Sequence, residues 1–287
     1  MKKIAARTLL LMALLLMPAM LKAQYVITDS IIPRRIVVKS TSHGIAILDN
    51  LDTYLSGYSF LGAGYKLSHE NFRDALMGKR KWKYQTLFNA TLGLAIQEIN
   101  VQYTLLADYS WGGYHSFEIN DRLQLLAGGQ AQLSGGVLYL PTNGNNPASA
   151  KIRAAIAASA MAIYHIPIKA RDHILRLQLD IPLAGVMFAP QYGQSYYEIF
   201  GRGDTKGIIK FSYPGNTPSW RHTLSFDIPV GSKYRNNTLR LSYNGDFYQS
   251  RINGIRTHIY NNSISIGVVR TLYKIKEGDP IKAYSPY

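Results

Sequence analysis

The sequence predicts an all-β protein, an up-and-down antiparallel transmembrane β-barrel of about twelve strands, within a range of about ten to fourteen. Three observations lead to this fold class. Apolar and polar residues alternate with a period of two in segment after segment of the chain. The alternating segments are about 9 to 16 residues long, whereas strands of soluble sheets most often have about five or six. Their polar faces carry few charges, in keeping with the 17% of charged residues in the whole chain.

Two segments illustrate the alternation. From Trp82 to Ile96, every second residue is apolar or aromatic except for Thr86. From Thr238 to Tyr248, leucine, tyrosine, glycine and phenylalanine occupy the odd positions, while mostly polar residues occupy the even ones. Because successive side chains of a strand point to opposite sides, each segment presents one apolar and one polar face.

The same pattern, followed along the chain, defines about twelve strands that pair in chain order. They are 36–48, 59–72, 82–96, 100–111, 121–139, 150–166, 173–188, 194–200, 207–213, 219–230, 237–250 and 256–272. An even number of strands keeps both termini of the chain on the periplasmic side of the membrane. In that arrangement the periplasmic turns include 77–81, 168–172, 201–206 and 230–236.

The polar faces decide between a membrane barrel and the alternative, a soluble periplasmic binding β-sandwich. A sandwich exposes its polar face to bulk water, whereas a membrane barrel turns its apolar face to lipid and encloses polar side chains in its lumen. Here the polar faces carry mainly Gln, Asn, Ser, Thr and Gly. A barrel strand needs about 9 to 11 residues to cross the membrane, and these segments supply them. The sequence therefore favours the barrel.

Aromatic residues near the strand ends are candidates for the girdles that mark the two membrane interfaces. They are Trp82, Tyr84, Trp111, Tyr139, Tyr164, Trp220 and Tyr273. Aromatic residues are also good strand formers in general, which accounts for some of these positions.

Residues 1–23 predict export. Lys2, Lys3 and Arg7 precede an apolar run that is too short for a membrane-spanning helix, and Ala23-Gln24 is a plausible cleavage site of a signal peptide. Cleavage removes four basic residues and no acidic one, which lowers the net charge from +15 to +11. Export argues against a nucleic-acid partner. The absence of cysteine excludes disulfides, thiolate metal sites and a cysteine nucleophile.

The expected organisation is one barrel domain at residues 35–273 in the bacterial outer membrane. A periplasmic segment at 24–34 precedes it, and a periplasmic tail at 274–287 follows it. The expected partners are outer-membrane lipids and, during insertion, the barrel-assembly machinery. Basic residues of the turn at 77–81, together with Lys83, are candidates for contact with anionic headgroups or an acidic periplasmic partner.

Charged residues on the polar faces are candidates for the lumen lining. They are Lys66, Glu70, Lys83, Asp108, Arg122, Arg153, Arg176, Asp180, Asp227, Arg240 and Asp246. Such a set can pair internally and fill the lumen, or it can leave a basic strip along an aqueous path. A filled lumen predicts a structural or assembly component. A basic strip predicts a pore that favours anions, with a small anionic solute as its cargo.

No residue is predicted to be catalytic, and neither a metal nor a cofactor is predicted. A hydrolase built on a barrel would need a Ser–His or Asp–His pair to attack a lipid or peptide bond. The histidines His43, His69, His115, His165, His173, His222 and His258 show no spacing that distinguishes them from chance. The main prediction is therefore a non-enzymatic channel, transport-associated or structural envelope protein with a polar, somewhat basic lumen. A membrane-embedded lipid or peptide hydrolase is the alternative.

A family resemblance supports this fold. The stretch Leu51-Asp52-Thr53-Tyr54-Leu55-Ser56 and the leader that ends in Ala23-Gln24 resemble an uncharacterised family of exported proteins from Bacteroides-type bacteria, classed as a domain of unknown function. The resemblance extends over residues 35–272, and the steps at 145–150 and 180–183 are similar too. Gly57-Tyr58 departs from the family, which has a Pro-containing start to the next strand. The resemblance implies an outer-membrane barrel and no activity, substrate or catalytic residue.

Overall fold

The fold is described by a computed structural model that covers residues 35–75, 81–168, 171–230 and 237–274. The predicted leader, the segment at 24–34 and the tail beyond residue 274 lie outside the described residues. The predicted turns at 77–81 and 230–236 also lie largely outside them.

The described residues form eleven strands. They are β1 (Arg35–Asp52), β2 (Phe60–Asp74), β3 (Trp82–Gln97), β4 (Asn100–Glu118), β5 (Leu123–Tyr139), β6 (Ala148–Ile168), β7 (Arg171–Phe188), β8 (Ile209–Ser212), β9 (Ser219–Val230), β10 (Asn237–Ile252) and β11 (Ile255–Lys274). A π-helical turn at Tyr197–Gly201 lies between β7 and β8. No helix in these residues is long and apolar enough to cross a membrane.

The sheet closes on itself. Consecutive strands pair antiparallel from β1 to β7, and β7 then pairs with β9, which is followed by β10 and β11. β11 returns to β1 in an unbroken register from Arg35 opposite Lys274 to Asp52 opposite Thr257. Among the described strands, ten form the closed wall, and β8 stands outside this cycle. The predicted all-β antiparallel barrel is confirmed.

The two openings of the barrel differ. We call the opening that carries the β1–β2 loop the loop end. The opposite opening, where β1 begins and β11 finishes, is the terminal end. Long connections between β5 and β6 and between β7 and β8 also lie at the loop end.

The predicted strand at 194–200 is wrong, because residues 197–201 form the π-helical turn. The Ser195 N–H donates to Glu198 Oε2 at 2.7 Å, and the Glu198 N–H donates to Ser195 Oγ at 3.2 Å. This reciprocal exchange is the capping box of a helix start, so the segment satisfies its own backbone without a partner strand. As a consequence, residues 201–206 lie at the loop end. The prediction that they form a turn at the terminal end is wrong.

Strand β8 lies beside the loop-end part of β7, outside the closed cycle of ten strands. β9 pairs with residues 174–180 of β7, and β8 pairs with residues 185–188. The turn after β8 completes this part of the wall, because the carbonyl groups of Asn216 and Pro218 accept hydrogen bonds from β10 at 3.1 and 3.0 Å. The predicted strand at 207–213 is thus reduced to the four residues of β8.

The wall separates an apolar outer surface from a polar lumen. In β3 the outward residues Phe88, Leu92 and Ile96 are exposed, whereas the inward Gln85 is 2% exposed. Ile45, an outward residue of β1, is 74% exposed. A continuous belt of exposed apolar side chains is stable only against another apolar phase, so this wall is suited to lipid.

Glycines let adjacent strands of the wall approach closely. A Cβ atom on Gly128 of β5 would lie 1.9 Å from the carbonyl oxygen of Gly113 in β4. A backbone oxygen cannot move aside without shifting the strand, so this position excludes any side chain. Gly135 lies on the same strand, and a Cβ there would meet no heavy atom within 4 Å.

Replacing Gly128 by alanine is expected to destabilise the barrel by about 1–3 kcal/mol, the usual cost of overpacking. The same substitution at Gly135 is expected to change the free energy of unfolding by less than about 0.5 kcal/mol. Urea titration of both variants after refolding in detergent, followed by the heat-modifiable gel band, measures the difference. Equal stabilities would contradict the close approach of β4 and β5.

Candidate functional site: the closed lumen

A buried ion network occupies the middle of the lumen. Glu70 of β2 binds guanidinium groups from two other strands. Arg176 of β7 donates to its two carboxylate oxygens at 2.8 and 2.9 Å, and Arg240 of β10 donates to Oε2 at 2.6 Å. Each of the three side chains is buried. Charge-assisted bonds of this kind are the strongest hydrogen bonds in proteins, and here they tie β2 to β7 and β10 across the barrel.

Further groups extend this network around Glu70. Arg240 also donates two bonds of 2.7 Å to the carboxylate of Asp227 on β9. Gln85 of β3 donates to Glu70 Oε1 at 2.6 Å, and Ser40 of β1 donates to Oε2 at 3.3 Å. A single buried carboxylate therefore gathers donors from strands all around the lumen.

Asp180 of β7 is the centre of a neighbouring group in which the donors are neutral. Ser159 donates to its carboxylate at 2.5 Å, and Gln130 donates at 3.2 Å. Gln130 also donates to the hydroxyl of Tyr114 at 2.6 Å, and Tyr114 donates to Gln85 at 2.8 Å. These bonds join the two groups into one continuous polar layer.

Arg221 of β9 anchors a third group of charges. Its Nη2 lies 3.2 Å from Asp108 Oδ1 of β4 and 3.3 Å from Asp246 Oδ2 of β10. Arg153 of β6 donates to the hydroxyl of Ser219 at 3.0 Å. The Arg221–Asp108 and Arg153–Ser219 contacts bridge strands that are not neighbours in the sheet, whereas Arg221 and Asp246 lie opposite each other on the paired strands β9 and β10.

Most of the predicted lumen residues point into the barrel. Those that are buried are Lys66, Glu70, Lys83, Arg176, Asp180, Asp227 and Arg240, and those that are half-buried are Asp108, Arg153 and Asp246.

The prediction for Arg122 is wrong, because this residue is exposed in the β4–β5 turn. Asn120 Oδ1 accepts the N–H groups of Arg122 and Leu123, each at 2.9 Å. An Asx turn of this kind delays the start of β5 until Leu123, so Arg122 precedes the alternating segment.

Sequence analysis missed two lumen cations. Ser219, Arg221 and Thr223 alternate along the polar face of β9, so the period-two pattern alone could have identified Arg221 as an inward residue. Lys151 of β6 lies 2.6 Å from Asp52 Oδ2 of β1. That pair joins residues from distant strands, which no local pattern reveals.

Apolar layers lie between the polar layer and both openings. Near the terminal end, the packed residues are Val38, Phe72, Tyr114, Leu126, Met161, Ile163 and Val269. Near the loop end, they are Tyr54, Leu55, Phe60, Ala95, Leu138, Leu140, Ile255 and Ile259. Apolar layers thus flank the polar middle of the lumen, while Asp108, Arg153 and Asp246 remain half-buried.

Hydrogen bonds lock the loops over the loop-end layer. The hydroxyl of Tyr54 donates to the Gln194 carbonyl at 2.7 Å, and the Asn143 amide donates to the Leu55 carbonyl at 2.9 Å. These bonds join the β1–β2, β5–β6 and β7–β8 loops. Burial raises the pKa of the Tyr54 phenol, because its ionised form would lose hydration in this contact.

The predicted girdle aromatics with described side chains lie on the outer surface. Trp82 and Tyr164 lie near the terminal end, and Tyr139 lies near the loop end. The exposed or half-buried members of the set are Trp82, Tyr84, Trp111, Tyr139, Tyr164 and Trp220. Tyr273 belongs to β11, but its side chain lies outside the described ones.

Histidine–carboxylate pairs lie near both openings. His165 Nδ1 lies 2.5 Å from Asp172 Oδ2 near the terminal end, and His258 Nε2 lies 3.1 Å from Asp49 Oδ1 near the loop end. In the described part of the chain, no serine hydroxyl is hydrogen-bonded to a histidine. Neither pair therefore has the hydroxyl partner that a serine hydrolase needs.

One threonine does contact a histidine on the outer surface. Thr41 Oγ1 lies 2.9 Å from His69 Nδ1, and the amide nitrogen of Asn71 lies 3.4 Å from the other ring nitrogen. In a hydrolytic triad that second nitrogen faces an acceptor, not a donor. Within the described residues, no cluster of three or more metal-binding side chains occurs either.

The comparison with protein families covers nearly the whole chain. The family model described as a protein of unknown function, DUF3316, matches residues 8–279. The chain belongs to this family. The resemblance to an uncharacterised domain-of-unknown-function family, inferred from residues 51–56, is confirmed. No curated protein matches the chain.

Solved structures with a similar fold are outer-membrane barrels. The transport unit of the autotransporter AIDA-I from Escherichia coli has 10% identity and a TM-score of 0.45, with 83% of this chain and 89% of that chain covered. The translocator domain of NalP from Neisseria meningitidis has 10% identity and a TM-score of 0.39, with 93% and 96% covered. A FadL homologue from Pseudomonas aeruginosa has 9% identity and a TM-score of 0.33, with 85% and 91% covered. At these scores the likeness adds no functional argument.

Replacing Glu70 by glutamine is expected to destabilise the protein by about 3–5 kcal/mol, because two buried guanidinium groups lose their shared counter-charge. Urea unfolding in detergent measures the loss. The matched control is Asp121→Asn, which removes an exposed carboxylate from the β4–β5 turn. Its effect is expected to stay within about 0.5 kcal/mol. If the two variants unfold alike, the Glu70 network does not hold the barrel together.

The raised pKa of Tyr54 predicts a loss of stability in alkali. Since the folded state holds the phenol protonated, its contribution is complete below the ordinary tyrosine pKa of about 10 and falls as pH rises above it. Tyr54→Phe is therefore expected to lose less stability than the parent protein between about pH 9 and 11. Melting temperatures across this range, with Tyr58→Phe in the same loop as the control, provide the measurement. Parallel pH profiles for the parent and Tyr54→Phe would contradict the assignment.

Proposed function

We propose that this protein is an integral outer-membrane β-barrel with a closed lumen, and that it acts as a non-enzymatic structural component of the bacterial envelope. The observation that carries this proposal is the filling of the lumen by a buried polar layer between two apolar layers. A conducting pore needs a continuous hydrated path, and the apolar layers interrupt that path near both openings.

The pairing of the lumen charges supports a closed barrel over an anion pore. A conducting basic strip would leave cations facing water, whereas most cations here contact carboxylates. Lys83, for example, lies 2.5 Å from Asp74 near the terminal end, and Arg176 and Arg240 share Glu70. Breaking buried pairs of this kind costs about 3–5 kcal/mol each, so opening the lumen would be expensive.

The proposed location rests on the signal peptide predicted at residues 1–23 and on the apolar outer wall. Outer-membrane lipids would cover the exposed belt, and the barrel-assembly machinery would insert it. The hydrolase alternative receives less support, because the histidine–carboxylate pairs have no hydroxyl nucleophile positioned beside them.

Purified protein in a planar lipid bilayer is expected to give no stable single-channel current. Tyr54→Ala combined with Leu55→Ala should still give none, because these changes weaken only the loop-end layer and leave the terminal-end layer intact. Heat-modifiable migration and protease protection in proteoliposomes must first establish that each protein has inserted. Stable current steps from the inserted parent protein would overturn the proposed closed lumen.

A further inference from the structure

A small cavity lies inside the polar layer, between the groups centred on Glu70 and Arg221. Its volume is about 30 Å³. The cationic residues Lys66, Arg176, Arg221 and Arg240 line it, and Glu70 is the carboxylate on its wall. The remaining lining consists mainly of hydroxyl and amide groups. A space of this size accepts one small ion or one to two water molecules and no organic solute.

Three donors on the wall of this cavity have no protein acceptor. The buried Lys66 has neither a hydrogen bond nor an ion pair among the described residues. Arg221 uses Nε and Nη2 for its carboxylates, and its buried Nη1 is left without a partner. The hydroxyl of Ser225 is buried and also lacks a partner.

The carboxylates around the cavity are already engaged. Glu70 accepts bonds from Arg176 and Gln85 at Oε1 and from Arg176, Arg240 and Ser40 at Oε2, so both of its oxygens are saturated. Asp108 and Asp246 bind the Nη2 side of Arg221, and neither lines the cavity. An unpaired ammonium group in a closed interior is costly unless a counter-charge reaches it. Among the described residues, no carboxylate oxygen lies within 4.0 Å of the Lys66 ammonium group, so this group forms no ion pair.

We propose that the cavity binds an occluded monovalent inorganic anion of chloride size, held by Lys66, Arg221 and Ser225. All three residues line one cavity of single-ion size and all three donate, so one acceptor there would serve them together, and its negative charge would offset an ammonium group that forms no ion pair. The apolar layers close both routes to the cavity, so the ion enters while the barrel folds and exchanges slowly afterwards. This anion would be a structural component of the lumen. The occlusion of the anion rests on the closed lumen proposed above, whereas its binding by Lys66, Arg221 and Ser225 does not.

Refolding in bromide tests the site directly. Crystals of the full chain refolded in sodium bromide are expected to show a bromine anomalous peak in contact with Lys66, Arg221 and Ser225. Ordered water without an anomalous signal at this position would overturn the proposal. A peak found only on the protein surface would overturn it as well.

Thermal unfolding provides a second test with matched variants. Parent protein refolded in sodium chloride is expected to melt about 3 °C or more above protein refolded in sodium gluconate of equal ionic strength, since a bound ion stabilises only the folded state. Lys66→Met should abolish this difference. Lys83→Met should keep it, because that lysine pairs with Asp74 away from the cavity.

Ser225→Ala removes one donor without a change in charge. This variant tests the site if Lys66→Met does not fold. Its chloride-dependent shift is expected to be smaller than that of the parent. Equal melting of the parent in chloride and gluconate would overturn the proposal. So would a full chloride effect in Lys66→Met, because general screening by salt would then explain the shift.

Discussion

The structure depends on one buried interaction, the contact of the Glu70 carboxylate with the guanidinium groups of Arg176 and Arg240. Apolar side chains cover the outside of the wall, and apolar layers flank the middle of the lumen near both openings. A buried polar group there is costly unless it finds a partner inside the barrel. Glu70 meets that constraint by binding arginines from strands that are far apart in sequence, so the polar lumen also ties opposite parts of the wall together.

The interior is layered in a way that reverses the usual order of a soluble protein. The polar residues gather at the centre, while apolar side chains cover the outer wall and close the lumen near both openings. Paired charges and hydrogen-bonded glutamine side chains occupy the lumen between the two apolar layers. This layering accounts for a chain that is 47% hydrophobic and only 17% charged. It also favours a barrel that seals its lumen over one that conducts.

At the loop end, hydrogen bonds from side chains to backbone carbonyl groups hold the loops together. Tyr54 and Asn143 reach carbonyl groups on other loops and hold those loops over the apolar layer. The capping box of Ser195 and Glu198 gives the β7–β8 connection a helical turn instead of a strand. Because of these local bonds, residues 194–200 form no strand, and the wall closes with fewer strands than the alternation of residues predicted.

The sequence by itself determined the fold class, the strands with clear alternation and most of the inward-facing charges, because the period-two pattern is local and survives without tertiary contacts. It also carried the family resemblance at residues 51–56. It misplaced Arg122 and the strand at 194–200, where Asx-turn and capping bonds overrode the pattern. Only the tertiary structure decided which charges pair, that Arg221 and Lys66 share a cavity, and that apolar layers flank the polar part of the lumen. Those features depend on strands that meet across the barrel, and a local pattern carries no information about such distant contacts.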